Sequence, residues 1–313
     1  MQRRASLLLP PPDVGPGLLR SDPYWSQIPK TWDESIFLGN GMIGCTVYCA
    51  EHKSMRQSLR FVLGRVDVTC RRASAFAARV PIGDFELSFG SWIYGGTTAS
   101  LSLQDAKADA DIVTVTGTGR VEAYVHHEKD VLVIRASAQG DSLSARLVPY
   151  PQVGAAVLVD DGRPNCDQYI PDIASEHLAM DGVDIVRQQY DGSSDGCVMA
   201  CLRTGTGTDA VFYVTVRNGH GEQSLREAVR ILREAADRSY EDLLESHRAW
   251  WRGYWGKSHV SLPDPTVEGF YHIQMYKLAS ATRADAPVLD NQGPWTGPTP
   301  WPGTWYNMNV QLA

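Results

Sequence analysis

Three tryptophans near the end of the chain, Trp295, Trp301 and Trp305, share one short stretch with Asn291, Gln292, Asn307, Asn309 and Gln311. That mixture suits a neutral sugar. A pyranose has an apolar face that stacks on an aromatic ring, and a rim of hydroxyls that each want a donor or an acceptor. Asn and Gln offer both on one planar amide. Pro294, Pro298, Pro300 and Pro302, with Gly297 and Gly303 between them, bar a regular helix here, so these rings are expected in a loop, where ligand contacts concentrate. Six of the nine tryptophans follow residue 249, but Trp250, Trp251 and Trp255 fall at helical spacing and are expected to pack.

Other constellations are weaker. Gly39-Asn40-Gly41-Met42-Ile43-Gly44 matches the dinucleotide fingerprint letter for letter. The fingerprint works only where a strand precedes it and a helix follows, and here the strand-like Cys45-Thr46-Val47-Tyr48 follows. A glycine-permitted bend between two strands is the better reading. Arg203 to Thr208 lacks the Gly-Lys-Ser/Thr of a phosphate loop and reads as a hairpin turn. His126 and His127 stand beside Glu128 and Asp130, yet adjacent residues on a strand point to opposite faces and cannot easily share an ion. Cys45-x3-Cys49 and Cys197-x3-Cys201 have spacings that zinc sites use, but both lie in apolar runs with no turn to bring the thiols together. They are expected to be buried thiols. No metal and no cofactor is predicted. Nothing resembles a Gly-x-Ser-x-Gly elbow, so no Ser-His-Asp set is legible.

The composition excludes some partners. Lys and Arg total 29 against 36 Asp and Glu, a formal net charge of −7 that argues against a nucleic-acid scaffold. No apolar stretch approaches the ~20 residues that span a bilayer. Arg3 and Arg4 mimic the start of a signal peptide, but Leu7-Leu8-Leu9 runs straight into Pro10-Pro11-Pro12 and leaves no apolar core. The expectation is a soluble, cytoplasmic protein, or a secreted or periplasmic one if the N-terminus is incomplete. Six cysteines are too few for a disulfide framework at 313 residues.

Elements to position the tryptophan loop can be read from periodicity. Residues 1–14 look like a tail. From 15 to 220 the pattern is period two, broken by Gly, Asp and Pro. Ile112 to Thr116, Val121 to Val125 and Val131 to Ile134 read as successive strands joined by tight turns, the mark of an antiparallel meander. About 200 residues of this kind imply a large β-sandwich. At Gly221 the period becomes helical, with Leu225, Val229 and Leu232, then Tyr240, Leu243, Leu244, His247, Trp250, Trp251 and Tyr254. Pro263-Asp264-Pro265 restarts the chain, with Asp264 as N-cap and Pro265 at the first helical position. The next helix is expected to present Phe270, Tyr271, Gln274, Leu278 and Ala279 on one face and to end near Arg283. One or two helices cannot complete a layer, so residues 263–313 are expected to be the cut start of a helical domain and 221–262 a helical linker.

Two segments carry a resemblance. Trp32 through Gly44, with Phe37-Leu38-Gly39-Asn40-Gly41-Met42-Ile43-Gly44, resembles the opening of glycoside hydrolase family 95, whose founding activity is 1,2-α-L-fucosidase. Asn291-Gln292-Gly293-Pro294-Trp295, then Pro300-Trp301, then Asn307-Met308-Asn309-Val310-Gln311 resemble the run that opens that family's catalytic domain. The resemblance implies a β-super-sandwich, linker helices and the truncated start of an (α/α)6 barrel, hence a mainly β chain. It implies an inverting glycoside hydrolase acting on an oligosaccharide or glycoconjugate glycan. Asn307 and Asn309 match the paired asparagines that help position and activate the attacking water, while Gln292, Trp295, Trp301 and Trp305 would bind substrate. An amide is no base by itself, so a carboxylate must polarise it. The family's general acid, a Glu, lies downstream of this run, so the 313 residues alone are expected to be inactive. Trp305 stands where the family usually has His, and Ser58 to Gly64 replaces its Asn-Glu-Asp-x-x-Trp segment, which leaves the sugar open. Two alternatives stand beside the hydrolase: a glycoside phosphorylase of similar architecture, and a non-catalytic carbohydrate-binding or interaction protein. A phosphorylase needs a basic or Ser/Thr-lined phosphate pocket, and no Arg or Lys occurs between Asp285 and Ala313.

Overall fold

Alternation along each strand sends one set of side chains inward, and two sheets close over that set. The computed structural model describes residues 18, 21–50, 58–70, 78–150, 173–190, 195–258, 260–288 and 292–296. A nine-stranded sheet runs in the order β1 (Tyr24–Trp25), β8 (Thr98–Ser102), β9 (Lys107–Val113), β10 (Thr118–Val125), β11 (Leu132–Gln139), β16 (Asp209–Asn218), β15 (Gly196–Thr206), β14 (Val183–Tyr190) and β13 (Ile173–Met180). A five-stranded sheet follows the order β12 (Leu143–Pro149), β7 (Gly83–Phe89), β4 (Ser58–Arg65), β3 (Ile43–Ala50) and β2 (Ile36–Gly39). The short β5 (Thr69–Cys70) and β6 (Ala78–Arg79) pair with each other. Every pairing among these strands is antiparallel. The predicted mainly β sandwich is what forms.

The inner faces meet through Phe61, Phe85 and Phe212, with ring centroids 5.8 Å apart for the first pair and 5.3 Å across the sheets for the second. Aromatic pairs at this separation add to the stabilisation from burial itself. Cys45, Cys49, Cys197 and Cys201 all lie in this core, so residues four apart do share one face. Burial pushes the Cys197 thiol up to about 12 and raises Cys45 and Cys201 as well, so these sulfurs stay protonated.

Three helices complete the described chain: α1 (Glu222–Ala236), α2 (Tyr240–Trp255) and α3 (Pro265–Ala281). Ser239 caps α2 by accepting from the Asp242 amide at 3.0 Å, and Asp264 caps α3 by accepting from Thr266 at 2.8 Å. Leu225, Ala228, Val229 and Leu232 of α1, with Tyr240, Leu243 and Leu244 of α2, cover the outer face of the nine-stranded sheet over β10, β11 and β14–β16. This cover explains the unbroken apolar run in β15. Cys197, Met199 and Cys201 point inward, while Val198, Ala200 and Leu202 point outward beneath the helices. Farther along α2, Trp251 and Trp255 are fully buried in the sandwich core, and the Trp255 indole donates to the Leu103 carbonyl at 3.0 Å. The packing role expected for these rings holds.

The face of α3 named from the sequence lies mostly outward. Helix α3 buries Glu268, His272, Tyr276, Ala279, Ser280 and Ala281, whereas Phe270 is 65% exposed and Leu278 and Val267 also face outward. Periodicity identifies an apolar stripe but not its partner. Here the buried side is fixed by polar contacts: Tyr276 donates to the Phe37 carbonyl at 2.8 Å, His272 meets Ser21 at 3.0 Å, and Glu268 accepts from the Leu262 amide.

The turn between β10 and β11 is built around histidines. His126 Nδ1 accepts from the amides of Glu128 and Lys129 at 3.3 and 3.2 Å, and its Nε2 meets Ser246 Oγ at 3.0 Å. His247 Nδ1 accepts from the His127 amide at 3.2 Å, and its Nε2 donates to the Asp105 carbonyl at 2.9 Å. His127 stacks on Trp250 with centroids 3.1 Å apart. Packing and turn closure occupy these imidazoles. Burial is the main cause that lowers them, His126 to about 4 with Lys129 adding, His127 to about 3 with Arg283 adding, and His247 to about 3 with His126 adding.

A pH dependence follows. Below about pH 6.5 the unfolded chain takes up protons that these neutral rings refuse, so stability falls with pH until the folded values are reached. Each histidine contributes at most about 1.4 kcal/mol per pH unit in that window. Asp22, raised by burial to about 6, and Asp84, also raised by burial, work in the opposite direction. Urea unfolding between pH 7 and pH 5 should show a clear loss of stability. A flat profile, or one unchanged in His247→Gln, contradicts this assignment.

Candidate functional site

The bend at Gly39 to Gly44 is a hairpin between β2 and β3, as its sequence context implied. Asn40, fully buried, accepts from the amides of Met42 and Ile43 at 3.0 and 2.8 Å, which is the local hydrogen bonding that favours Asn in turns. Its amide nitrogen donates to the carbonyls of His126 and Lys129 at 3.0 and 3.1 Å, tying the hairpin to the β10–β11 turn. Gly41 has a φ of +83°, in the region that favours glycine.

The glycines of the false fingerprint have a different use. A Cβ at Gly39 would collide with the Ser280 carbonyl, one at Gly41 with Thr282, and one at Gly44 or Gly64 with the Pro294 carbonyl. These positions let the end of α3 and the segment 292–296 lie directly on the outer face of the five-stranded sheet. Trp295 closes this seat. It is 8% exposed, its indole donates to the Leu38 carbonyl at 2.8 Å, and its ring meets Phe37 edge-on with centroids 5.2 Å apart. From the other side Arg79, itself buried, donates to the carbonyls of Gly293 and Trp295.

A second anchor lies beside it. Asp130 accepts from Arg65 at 2.9 Å, from Arg217 at 3.1 Å and from Arg283 at 2.9 Å. Arg65 also binds Asp67 at 2.7 Å, and Arg283 binds Asp285 at 2.6 Å. Burial alone would raise the Asp130 carboxyl, but Arg65 and Arg283 hold it below the usual carboxylate range. The ends of β4 and β16, the β10–β11 turn and the residues after α3 therefore meet at one carboxylate. On the same sheet face, Arg60 and Tyr150 both bind Asp84, the tyrosine at 2.6 Å, and burial keeps Asp84 above its ordinary value. Both oxygens of Asp84 are thus engaged.

Of the substrate-binding residues read from the sequence, Trp295 lies in the packing seam and Gln292 sits half-buried at the start of the same segment. Asn307, Asn309, Trp301 and Trp305 lie outside the described residues. What the structure brings together is the two matched segments, Phe37 to Gly44 and Gln292 to Thr296, joined by a hydrogen bond across 257 positions. Sequence reasoning missed Arg79 and the arginine trio on Asp130, since nothing in their neighbouring residues marks them. Chemically, the described residues form a packed seat for the segment 292–296 on the five-stranded sheet. Among the described residues no group of His, Cys, Asp and Glu is arranged to hold a metal ion, and no helix is long and apolar enough to cross a membrane.

Among solved structures, this chain is similar to a putative kojibiose phosphorylase from the human microbiome, with a TM-score of 0.62 and 11% identity over 82% of this chain. The shared feature is the fold. The chain spans 38% of that protein's length. Looser overlaps occur with a bacterial glucoamylase complexed with acarbose, with a TM-score of 0.43 at 7% identity over 83% of this chain and 44% of the other. A family GH92 α-mannosidase from Bacteroides thetaiotaomicron overlaps with a TM-score of 0.33 at 10% identity over 78% of this chain and 38% of the other. No family model matches the sequence, and no curated protein does either.

Proposed function

We propose that this chain is the sandwich-bearing part of an enzyme that cleaves glycosidic bonds, with residues 15–220 as the sandwich, 221–262 as linker and 263–313 as the start of a helical catalytic domain. The observation that carries the proposal is the seat itself. The segment that resembles the catalytic opening of glycoside hydrolase family 95 rests on the segment that resembles that family's first motif, through the Trp295–Leu38 hydrogen bond and the Pro294–Gly44 contact. In this reading the seat holds the backbone at 293–296, so that the residues after it present Trp301 and Trp305 to a sugar face and Asn307 and Asn309 to the attacking water. A separate carboxylate polarises that water and a second one protonates the leaving oxygen. The reaction inverts the anomeric centre.

A phosphorylase reading has one specific support, the fold shared with the kojibiose phosphorylase. Phosphate would then replace water as nucleophile. The enzyme that carries this sequence should be assayed on α-linked gluco-, manno- and fuco-oligosaccharides with and without inorganic phosphate. Release of free sugar without phosphate supports the hydrolase, and formation of a sugar 1-phosphate only with phosphate supports the phosphorylase. Failure to cleave any glycoside under either condition refutes both and leaves the binding-protein alternative.

A further inference from the structure

Helices α1 and α2 cover the outer face of the nine-stranded sheet only in part. Among the described residues no helix packs on that face over β1, β8 and β9, and its outward residues change from apolar to polar. Register places Tyr24 opposite Ser100, Ser100 opposite Asp109, and Asp109 opposite Glu122. The flanking rows bring Thr98 beside Asp111 and Arg120, and Ser102 beside Lys107. All of these but Glu122 line a cavity of about 370 Å³, within the range of pockets that take small ligands. Arg248 of α2, bonded to Asp105 at 2.8 Å, also lines it. Tyr24 stands on the wall at the sheet edge, 66% exposed.

The charges in this cavity are already matched. Lys107 binds Asp109 at 2.8 Å and Glu122 at 2.9 Å, and Arg120 reaches Asp109 at 3.1 Å and Asp111 at 3.3 Å. No single sign dominates, so neither an anion nor a cation is favoured. A neutral ligand with many hydroxyls fits better. The lattice of carboxylates and cations offers acceptors and donors held in place by one another, the hydroxyls of Thr98 and Ser100 add both, and the Tyr24 ring offers a flat apolar face.

We propose that this cavity is a carbohydrate-binding site distinct from the loop after residue 292, one that holds a glycan chain against the outer face of the nine-stranded sheet. The seat of residues 292–296 lies on the outer face of the other sheet, so the cavity and that seat are separated by the whole thickness of the sandwich, more than about 10 Å. The proposal rests on the reading of this protein as part of a glycan-processing enzyme.

The test is binding of the chain to an array of immobilised α-linked gluco-, manno- and fuco-oligosaccharides, followed by calorimetric titration of the soluble form of the best binder. Tyr24→Ala should lower affinity at least about tenfold, and Tyr24→Phe, which keeps the stacking face, should restore most of it. Both variants should keep the wild-type Tm, because the ring is exposed. Trp92→Ala, at an exposed ring outside the cavity, should leave this binding in place. Binding lost in Trp301→Ala but kept in Tyr24→Ala overturns the second site and leaves the proposed function standing. Binding equal in all variants, or no binding to any glycan on the array, also overturns it, while the turnover assay still decides the function independently. Equal losses in Tyr24→Ala and Tyr24→Phe would remove the stacking face from the proposal and overturn it in this form.

Discussion

Replacing Asp130 with Ala should cost about 3–5 kcal/mol of unfolding free energy, the loss that follows when one partner of a buried ion pair is removed and the other remains. Three guanidiniums converge on this carboxylate, and Arg65 is only 4% exposed, so it cannot turn to water for compensation. Asp67 and Asp285 retain Arg65 and Arg283, but among the described residues Arg217 keeps no carboxylate within ion-pair distance, and burial, with Arg65 beside it, already lowers its affinity for a proton. The Asp130 backbone carbonyl, held by Thr215 at 2.6 Å, should remain in place, so the turn loses its charge rather than its course. Asp130→Asn keeps an acceptor oxygen and should cost clearly less. Urea unfolding followed by tryptophan fluorescence measures both. A loss below about 1 kcal/mol for Asp130→Ala would mean that the trio behaves like an exposed pair.

In the enzyme proposed here, Asn309→Ala should lower kcat by about 10²–10³, the usual scale for one hydrogen-bonding group that acts in the transition state, with KM little changed. Trp301→Ala should do the reverse and chiefly raise KM, because stacking on a sugar face is felt by substrate and transition state alike. The contrast between the two variants matters more than either value. The first-formed anomer, read by NMR, should be inverted, and the two carboxyl groups of the complete site should lie about 6.5–9.5 Å apart to leave room for a water. Full kcat in Asn309→Ala would make Asn307-Met308-Asn309 a turn. A retained anomer would remove the mechanism altogether.

Most of the sandwich was legible because its signals are local. Alternation from Ile112 to Ile134 gives β9 to β11 and their turns, and the Gly205 and Gly207 pair marks the β15–β16 hairpin with φ values of +85° and +60°. The cap Asp264 acts within three residues of itself, so it too could be read directly. The candidate site was legible in part. Its two segments could be named from a family resemblance, but their contact spans 257 positions and leaves no periodic trace. Trp295 shows the limit well. Its type and its loop suited a ligand, yet in the fold its indole is engaged by Leu38 and its ring by Phe37.

The sequence by itself determined where period two gives way to helix, several of the strands and turns, and that the chain is mainly β, since dihedral preference, capping and side-chain period act over a few residues. Only the tertiary structure decided what each face meets. It turned Phe270 outward and Tyr276 inward, because a neighbouring carbonyl at Phe37 satisfies a buried hydroxyl and nothing in α3 alone reveals that acceptor. It set Arg65, Arg217 and Arg283 on one carboxylate and left a polar cavity beside Tyr24, since charge pairing across strands depends on register and sheet order. It also gave the glycines at 39, 41, 44 and 64 their purpose, which is the room that a distant backbone needs to lie against the sheet.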